Sequence, residues 1–191
     1  HNIGTVYSAI GDKRQALHYL NQALLLRRQA NDKRHEAVTL TGIGAVYTDM
    51  GDQQRALEYL NQALPLRYQV GDKYGEAYTL NNIGLVYRAL GDHKQALDYY
   101  SRALYLRRQV GDRRGEATAL NNIGGVYDDL GDKQLALDYY NQALPLQCQV
   151  GNRNGERATR YNIAMAAADL GDLDRAVAEL EQVIALDETI H

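Results

Sequence analysis

Phenylalanine and tryptophan are absent from this 191-residue chain, and cysteine occurs once, at Cys148. One cysteine cannot build a disulfide framework, so a stapled extracellular scaffold is excluded and a reducing compartment is expected. No apolar run approaches the ~20 residues that a bilayer span requires, and no secretory signal is visible. The expectation is a cytoplasmic protein with no membrane partner. The net charge of -3 excludes a strongly cationic surface, so nucleic acid is not an expected partner either. His1 opens directly inside a helical pattern, which predicts a fragment whose natural start lies further upstream.

What is present is 45% hydrophobic and 24% charged, too apolar for a disordered chain. The aromatic bulk comes from 15 tyrosines, a single type used repeatedly. Gly-Asp recurs at Gly11-Asp12, Gly51-Asp52, Gly91-Asp92, Gly131-Asp132 and Gly171-Asp172, with a spacing of 40 throughout. A second series lies halfway between: Asn31-Asp32, Gly71-Asp72, Gly111-Asp112 and Gly151-Asn152. Residues 81–120 and 121–160 are identical at 23 of 40 positions, which settles the register.

Each Gly-Asp reads as a helix stop followed by a helix start. Glycine takes the left-handed conformation that closes a helix, and aspartate caps the next one. Arg27, Arg28, Arg67, Arg107 and Arg108 fall in last turns, where cations suit the helix dipole. Within 73–90, an A helix, Leu80, Ile83, Gly84, Tyr87 and Leu90 share one face. The same columns read Leu40, Ile43, Gly44, Tyr47, Met50 and Leu120, Ile123, Gly124, Tyr127, Leu130. The B helix, 92–110, turns Ala96, Leu97, Tyr100, Ala103 and Leu104 inward. A mid-helix glycine costs roughly 1 kcal/mol against alanine. Its return at Gly4, Gly44, Gly84 and Gly124 predicts close approach of the A helix to the B helix, opposite Ala96 and Ala103. Val6, Val46, Val86 and Val126 lie off that seam and are expected to pack on the neighbouring repeat. The expected fold is an all-α solenoid of antiparallel helix-turn-helix repeats stacked into a superhelix. The single array divides into a truncated first repeat (1–32), full repeats at 33–72, 73–112 and 113–152, and a last repeat or cap at 153–191. In that last repeat Arg160, Ala164 and Ala167 replace the recurrent Leu, Gly and Tyr, and a polar outer face is expected.

Leu40-x-x-Ile43-Gly44-x-x-Tyr47, then Ala56 and Ala63, resembles the signature of the tetratricopeptide repeat family, with Leu in place of its Trp. The 40-residue period is similar to the subgroup that includes kinesin light chains, Pins-type G-protein-signalling modulators and bacterial signalling-associated arrays. The resemblance implies a right-handed superhelix and an extended peptide held along the concave face of the A helices. The columns that family geometry turns to that face carry Asn2, Asn82, Asn122 and Asn162, joined by Asn81 and Asn121. Asparagine is a poor mid-helix residue, so its recurrence invites a reason. One reading is a ladder of carboxamides, each pairing with a peptide unit and interrupted at Gly42. The other has the amides bridging neighbouring helices or meeting water. Tyr78, Leu85, Tyr161 and Met165 offer apolar contacts beside them. Asp49, Asp128, Asp129 and Asp169 against Arg88 suggest a basic or mixed-charge ligand, or simply a solvated polar face. The chaperone-binding branch of the family grips a carboxylate with Lys and Arg. The corresponding Val38, Thr41, Tyr78, Asn81, Thr118 and Asn121 are not basic, which disfavours that ligand.

No phosphate loop, H-E-x-x-H, paired cysteines or G-x-S-x-G occurs. Gly42-x-Gly44 lacks a third glycine, and His1, His18, His35, His93 and His191 fall in different repeat columns. No catalytic residue, metal or cofactor is therefore expected. Pro65 and Pro145 predict local bends late in B helices. The tyrosine column Tyr7, Tyr47, Tyr87, Tyr127 reads as core, and Cys148 as an inert thiol. The leading expectation is a scaffold that holds a peptide or partner protein. The alternatives are a peptide-sensing module controlling an attached output domain, and a structural spacer or self-assembling array, with association through the apolar surface of the truncated first hairpin.

Overall fold

An aspartate after each glycine starts a helix for a visible reason. In the computed structural model, which describes Tyr7 and residues 11–188, the side chain of Asp72 accepts a hydrogen bond from the backbone N–H of Gly75 at 2.9 Å. Asp12, Asp32, Asp52, Asp92, Asp112, Asp132, Asn152 and Asp172 make the same bond three residues ahead. The glycine before each cap is needed where the chain reverses: Gly51 has φ 77° and Gly131 has φ 82°. Asn31 is the non-glycine residue at such a turn, with φ 52°, a conformation asparagine tolerates.

Nine helices and no strands occur among the described residues. They are α1 (Lys13–Gln29), α2 (Lys33–Asp49), α3 (Gln53–Gln69), α4 (Lys73–Ala89), α5 (His93–Gln109), α6 (Arg113–Asp129), α7 (Lys133–Gln149), α8 (Arg153–Asp169) and α9 (Leu173–Glu188). None is long and apolar enough to cross a membrane. The chain forms two compact units, His1–Gln95 and Ala96–His191, with α5 beginning at their boundary.

In the first unit, α2 packs on both α1 and α3, and α4 packs on α3. The core joins Ala16, Leu20 and Leu24 of α1 to Leu40, Ile43 and Val46 of α2 and Ala63 of α3. Val46 thus packs across hairpins, as its position off the A/B seam predicts. In the second unit, α6 packs on α7, and α8 lies between α7 and α9. Leu137 and Tyr140 of α7 meet Ile163 and Ala166 of α8. Tyr47 stacks on Tyr59 with ring centroids 5.5 Å apart, and Tyr127 on Tyr139 at 5.4 Å, so the tyrosine column closes the flank of these two hairpins.

Four expectations need correction. Met50, Leu90 and Leu130 are exposed, because each A helix ends one residue earlier and these side chains sit at its C-cap. Leu97 is only half-buried. The glycine column does bring A and B helices together, but not opposite small side chains. A Cβ on Gly44 would meet Leu60 Cγ at 2.6 Å and the Ala56 carbonyl at 3.3 Å; on Gly124 it would meet Tyr140 Cε1 at 2.6 Å and the Ala136 carbonyl at 3.2 Å. The glycine makes room for a large buried side chain. Lastly, α9 does not present a polar outer face: Leu173, Val177 and Ile184 are all more than half exposed.

Candidate functional site

The face of each A helix turned away from its B-helix partner is built from short, recurrent elements. On α4 it shows Tyr78, exposed, and Leu85, at the edge of exposure, with Asn81 and Arg88 half-buried between and beyond them. On α8 the same face shows Tyr161 and Met165, both exposed, beside half-buried Asn162. Large apolar side chains left in water at helical spacing are unusual on a face with nothing to cover it.

The asparagines divide between two roles. Asn2 lies outside the described residues. Asn121 Oδ1 accepts from Thr159 Oγ1 at 3.1 Å and from Asn162 Nδ2 at 3.3 Å, so this carboxamide ties α6 to α8. In the first unit the equivalent tie between α2 and α4 is made by two hydroxyls, Thr41 Oγ1 and Thr79 Oγ1, 3.1 Å apart and buried. Asn122 is half-buried. Asn82 is 9% exposed, and its Nδ2 is buried without an acceptor. An orphaned buried donor costs about 1–3 kcal/mol.

The acidic residues are less available than their number suggests. Lys133 Nζ lies 2.8 Å from Asp128 Oδ1 and 2.9 Å from Asp169 Oδ2, clamping the C-terminal ends of α6 and α8 together. Those two hydrogen-bonded carboxylates hold the Lys133 ammonium charged far above the ordinary lysine range. Asp129 and Asp49 remain exposed.

Sequence reasoning missed the corner that leads from each B helix into the next A helix. Arg67 and Arg107, expected to serve the helix dipole at the surface, are almost fully buried instead. Arg67 Nη1 lies 2.5 Å from Asp72 Oδ2, and Arg107 binds Asp112 in the same way. The guanidinium fits because the residue three past the cap is glycine: a Cβ on Gly75 would lie 2.6 Å from Arg67 Cζ, and one on Gly115 2.5 Å from Arg107 Cδ. The last corner keeps the device with neutral parts, Gln147, Asn152 and Gly155, joined by an Asn152 Nδ2 to Gln147 Oε1 bond of 2.7 Å. The signal was present as three columns of period 40, in which Arg67 and Arg107 give way to Gln147 where Asp72 and Asp112 give way to Asn152, while the glycine of Gly75 and Gly115 stays as Gly155. The Asp72 carboxyl is pushed up by burial, yet the Gly75 N–H and the Arg67 guanidinium hold it below the usual carboxylate range overall.

A cleft of about 390 Å³ opens beside the first of these corners, lined by Val38, Thr41 and Gly42 of α2, Arg67 and Asp72 of the corner, and Tyr74, Gly75 and Tyr78 of α4. Within the second unit a smaller one, about 250 Å³, lies between Arg157, Ala158, Tyr161 and Asn162 of α8 and Val183 of α9. Tyr78, Tyr161 and Asn162 therefore line concave surface.

Compared with known proteins, the chain matches the tetratricopeptide repeat pattern over residues 1–69 and 75–149, and a second form of the same repeat over 158–190. No curated protein sequence matches it. Among solved structures it is similar to BtubC (BKLC) from P. vanneervenii, with a TM-score of 0.84 and 19% identity over 98% of this chain and 78% of that one. A kinesin-light-chain-like protein of Podosopora anserina with nearly identical TPR-like repeats gives 0.77 at 17% identity, over 100% of this chain and 93% of its own. A Rap protein complexed with competence and sporulation factor gives 0.78 at 16% identity, over 98% of this chain and 62% of that one.

Proposed function

The chain belongs to the tetratricopeptide repeat family, and on that premise we propose that it is a protein-interaction scaffold whose A-helix faces hold an extended peptide segment of a partner. The observation that carries this reading is the exposure of apolar side chains on such a face in each unit, Tyr78 and Leu85 on α4 in the first and Tyr161 and Met165 on α8 in the second, set among carboxamides. Aromatic and long aliphatic groups supply contact area, and amides supply paired donors and acceptors for a peptide backbone. Asn82 and Asn122 hold the same column of successive A helices, the first buried and the second half-buried. The Rap complex supports the choice of ligand-bearing scaffold over bare spacer.

The ladder has a restricted membership. Asn121 and Asn162 are committed to each other, and Asn121 to Thr159 as well, so neither serves as a rung. Because Lys133 already satisfies Asp128 and Asp169, the ligand carries a modest excess of positive charge at most. A cytoplasmic location is part of the same proposal.

The test is a peptide array probed with the wild-type chain and with an Asn82→Ala, Asn122→Ala variant. A common set of extended peptides that bind the wild type and are lost from the variant, at unchanged helix content, is the expected result. Binding that survives the double substitution moves the site to another surface.

A further inference from the structure

B helices in both units receive the A helix that follows them through the same apolar columns. Leu20 and Leu24 of α1, with Leu17 beside them, pack on Leu40, Ile43 and Val46 of α2. Leu137, Tyr140 and Leu144 of α7 pack on Ile163 and Ala166 of α8. In α9 those columns remain apolar as Val177, Leu180 and Ile184, and all three are exposed. The helix meets α8 by another side, through buried Ala176 and the Arg160–Glu179 ion pair. It therefore keeps a helix-receiving face, and no helix lies on that face among the described residues.

The same helix has lost both polar ties to an A helix of the array's own kind. At the start of a B helix, Lys13 Nζ donates to the Asp49 carbonyl at the end of α2, and Lys133 Nζ lies 2.9 Å from Asp169 Oδ2 at the end of α8. That column in α9 is Leu173, which extends the apolar stripe by a turn and can make no such bond. At the other end Arg67 binds Asp72, Arg107 binds Asp112, and Gln147 bonds to Asn152. That column in α9 is Asp187, which lies 3.4 Å from Arg157 Nη1 and would repel a capping aspartate. The stripe of Leu173, Val177, Leu180 and Ile184 is bordered by exposed Asp174 and Glu181 on one side and Asp187 on the other. Arg175, the one basic residue of α9, is half-buried and donates to Asn141 at 2.7 Å. Two copies of α9 laid stripe to stripe would set acidic border against acidic border, which opposes a symmetric dimer through this face.

We propose that α9 is a second docking surface, which takes an amphipathic helix of a partner protein whose apolar stripe is bordered by lysine or arginine. A stripe one residue wide at i, i+4, i+7 and i+11 matches the contact line of a single packed helix. The acidic borders choose the sign of the charge beside that line. This surface is independent of the A-helix faces that hold the peptide segment.

Fluorescein-labelled synthetic helices of about 15 residues test it, each with leucine at i, i+4, i+7 and i+11. One carries lysine borders, one glutamate borders, and a third is the lysine peptide shuffled to remove the stripe. A peptide of residues 113–129 stands for a helix of the array's own kind. The expected result is a saturable rise in anisotropy with the lysine-bordered helix, and binding about tenfold weaker or less with the other three. The preference for lysine over glutamate should shrink at high salt. Val177→Gln, Ile184→Gln, at exposed positions and checked for unchanged helix content, abolishes binding. Asp174→Lys, Glu181→Lys transfers the preference to the glutamate-bordered helix, and Asn82→Ala, Asn122→Ala changes nothing. Binding that survives Val177→Gln, Ile184→Gln, that ignores border charge or stripe, that is lost in the asparagine variant, or that is absent altogether overturns the proposal. So does equal binding of the 113–129 peptide, which makes the occupant a further repeat. A dimer in sedimentation velocity that Val177→Gln, Ile184→Gln dissolves also overturns it, by making the occupant a second copy.

Discussion

Gly124→Ala places two physical effects in direct opposition, and the geometry decides between them. Alanine in mid-helix is favoured over glycine by roughly 1 kcal/mol, so helix propensity alone predicts a more stable protein. The added Cβ, however, falls 2.6 Å from Tyr140 Cε1 and 2.7 Å from Cδ1, with the Ala136 carbonyl 3.2 Å away. Tyr140 is 2% exposed and its ring is rigid, so it can retreat only by moving α7. Overpacking of this kind costs about 1–3 kcal/mol. Two contacts under 3 Å to a rigid ring put the cost in the upper part of that range, about 2–3 kcal/mol, so after the propensity gain the net expectation is a loss of about 1–2 kcal/mol, with roughly 2–4 °C in melting temperature per kcal/mol for a chain of this length. Urea unfolding followed by far-UV circular dichroism measures it, with an unchanged denaturant slope showing that stability and not compactness has moved. The chain contains its own control: Ala164 fills the glycine column in α8, and the side chain in the Tyr140 column there, Leu180, is 36% exposed. Alanine is accommodated where the opposing side chain has room. A Gly124→Ala protein as stable as the wild type, or more so, would refute the close-packing account and leave propensity as the ruling effect.

The corner device predicts strong coupling. Arg67→Gln or Asp72→Asn alone should cost about 1–3 kcal/mol by stranding a nearly buried partner, whereas the double variant, which reproduces the Gln147–Asn152 bond, should be more stable than either single one by urea midpoint. The Asp72 carboxyl is held below its unfolded-state value, so its contribution is complete above about pH 4 and is lost as pH falls through the lower folded value. Unfolding midpoints measured down that range should therefore fall less steeply for Asp72→Asn than for wild type. Lys133→Ala frees Asp128 and Asp169; with the ammonium a quarter exposed, stability should change by less than about 1 kcal/mol, while binding of a cationic peptide, read by fluorescence polarisation, should tighten at low salt and not at high salt.

The order and extent of the helices were legible in the chain because their causes are local. A glycine that tolerates positive φ and an aspartate three residues before a free N–H act within one turn, so Gly51, Asp52 and their counterparts mark boundaries without reference to anything distant. The period carried the rest: columns at Leu40, Leu80 and Leu120, or at Ala56, Ala96 and Ala136, are buried because every repeat solves the same stacking problem. Leu90 was misassigned to the core because periodicity does not register that a helix has ended.

The candidate site was legible only as a list of residue types. Asn82 and Asn121 look alike in sequence, yet one is a buried amide without an acceptor and the other a tie between α6 and α8, because that depends on whether a hydroxyl such as Thr159 stands opposite. Lys133 lies only five residues from Asp128, but its match with Asp169, 36 residues on, could be made only once α7 and α8 had been brought to one place. Arg67 showed the dipole-facing position that its place in the last turn implies, and the fold buried it on Gly75 instead. The sequence by itself determined the helices, the period and the faces, since caps and periodicity are short-range properties of the chain. Only the tertiary structure decided which polar groups find partners, because a hydrogen bond requires two atoms within about 3 Å and nothing short-range specifies what lies across a neighbouring helix.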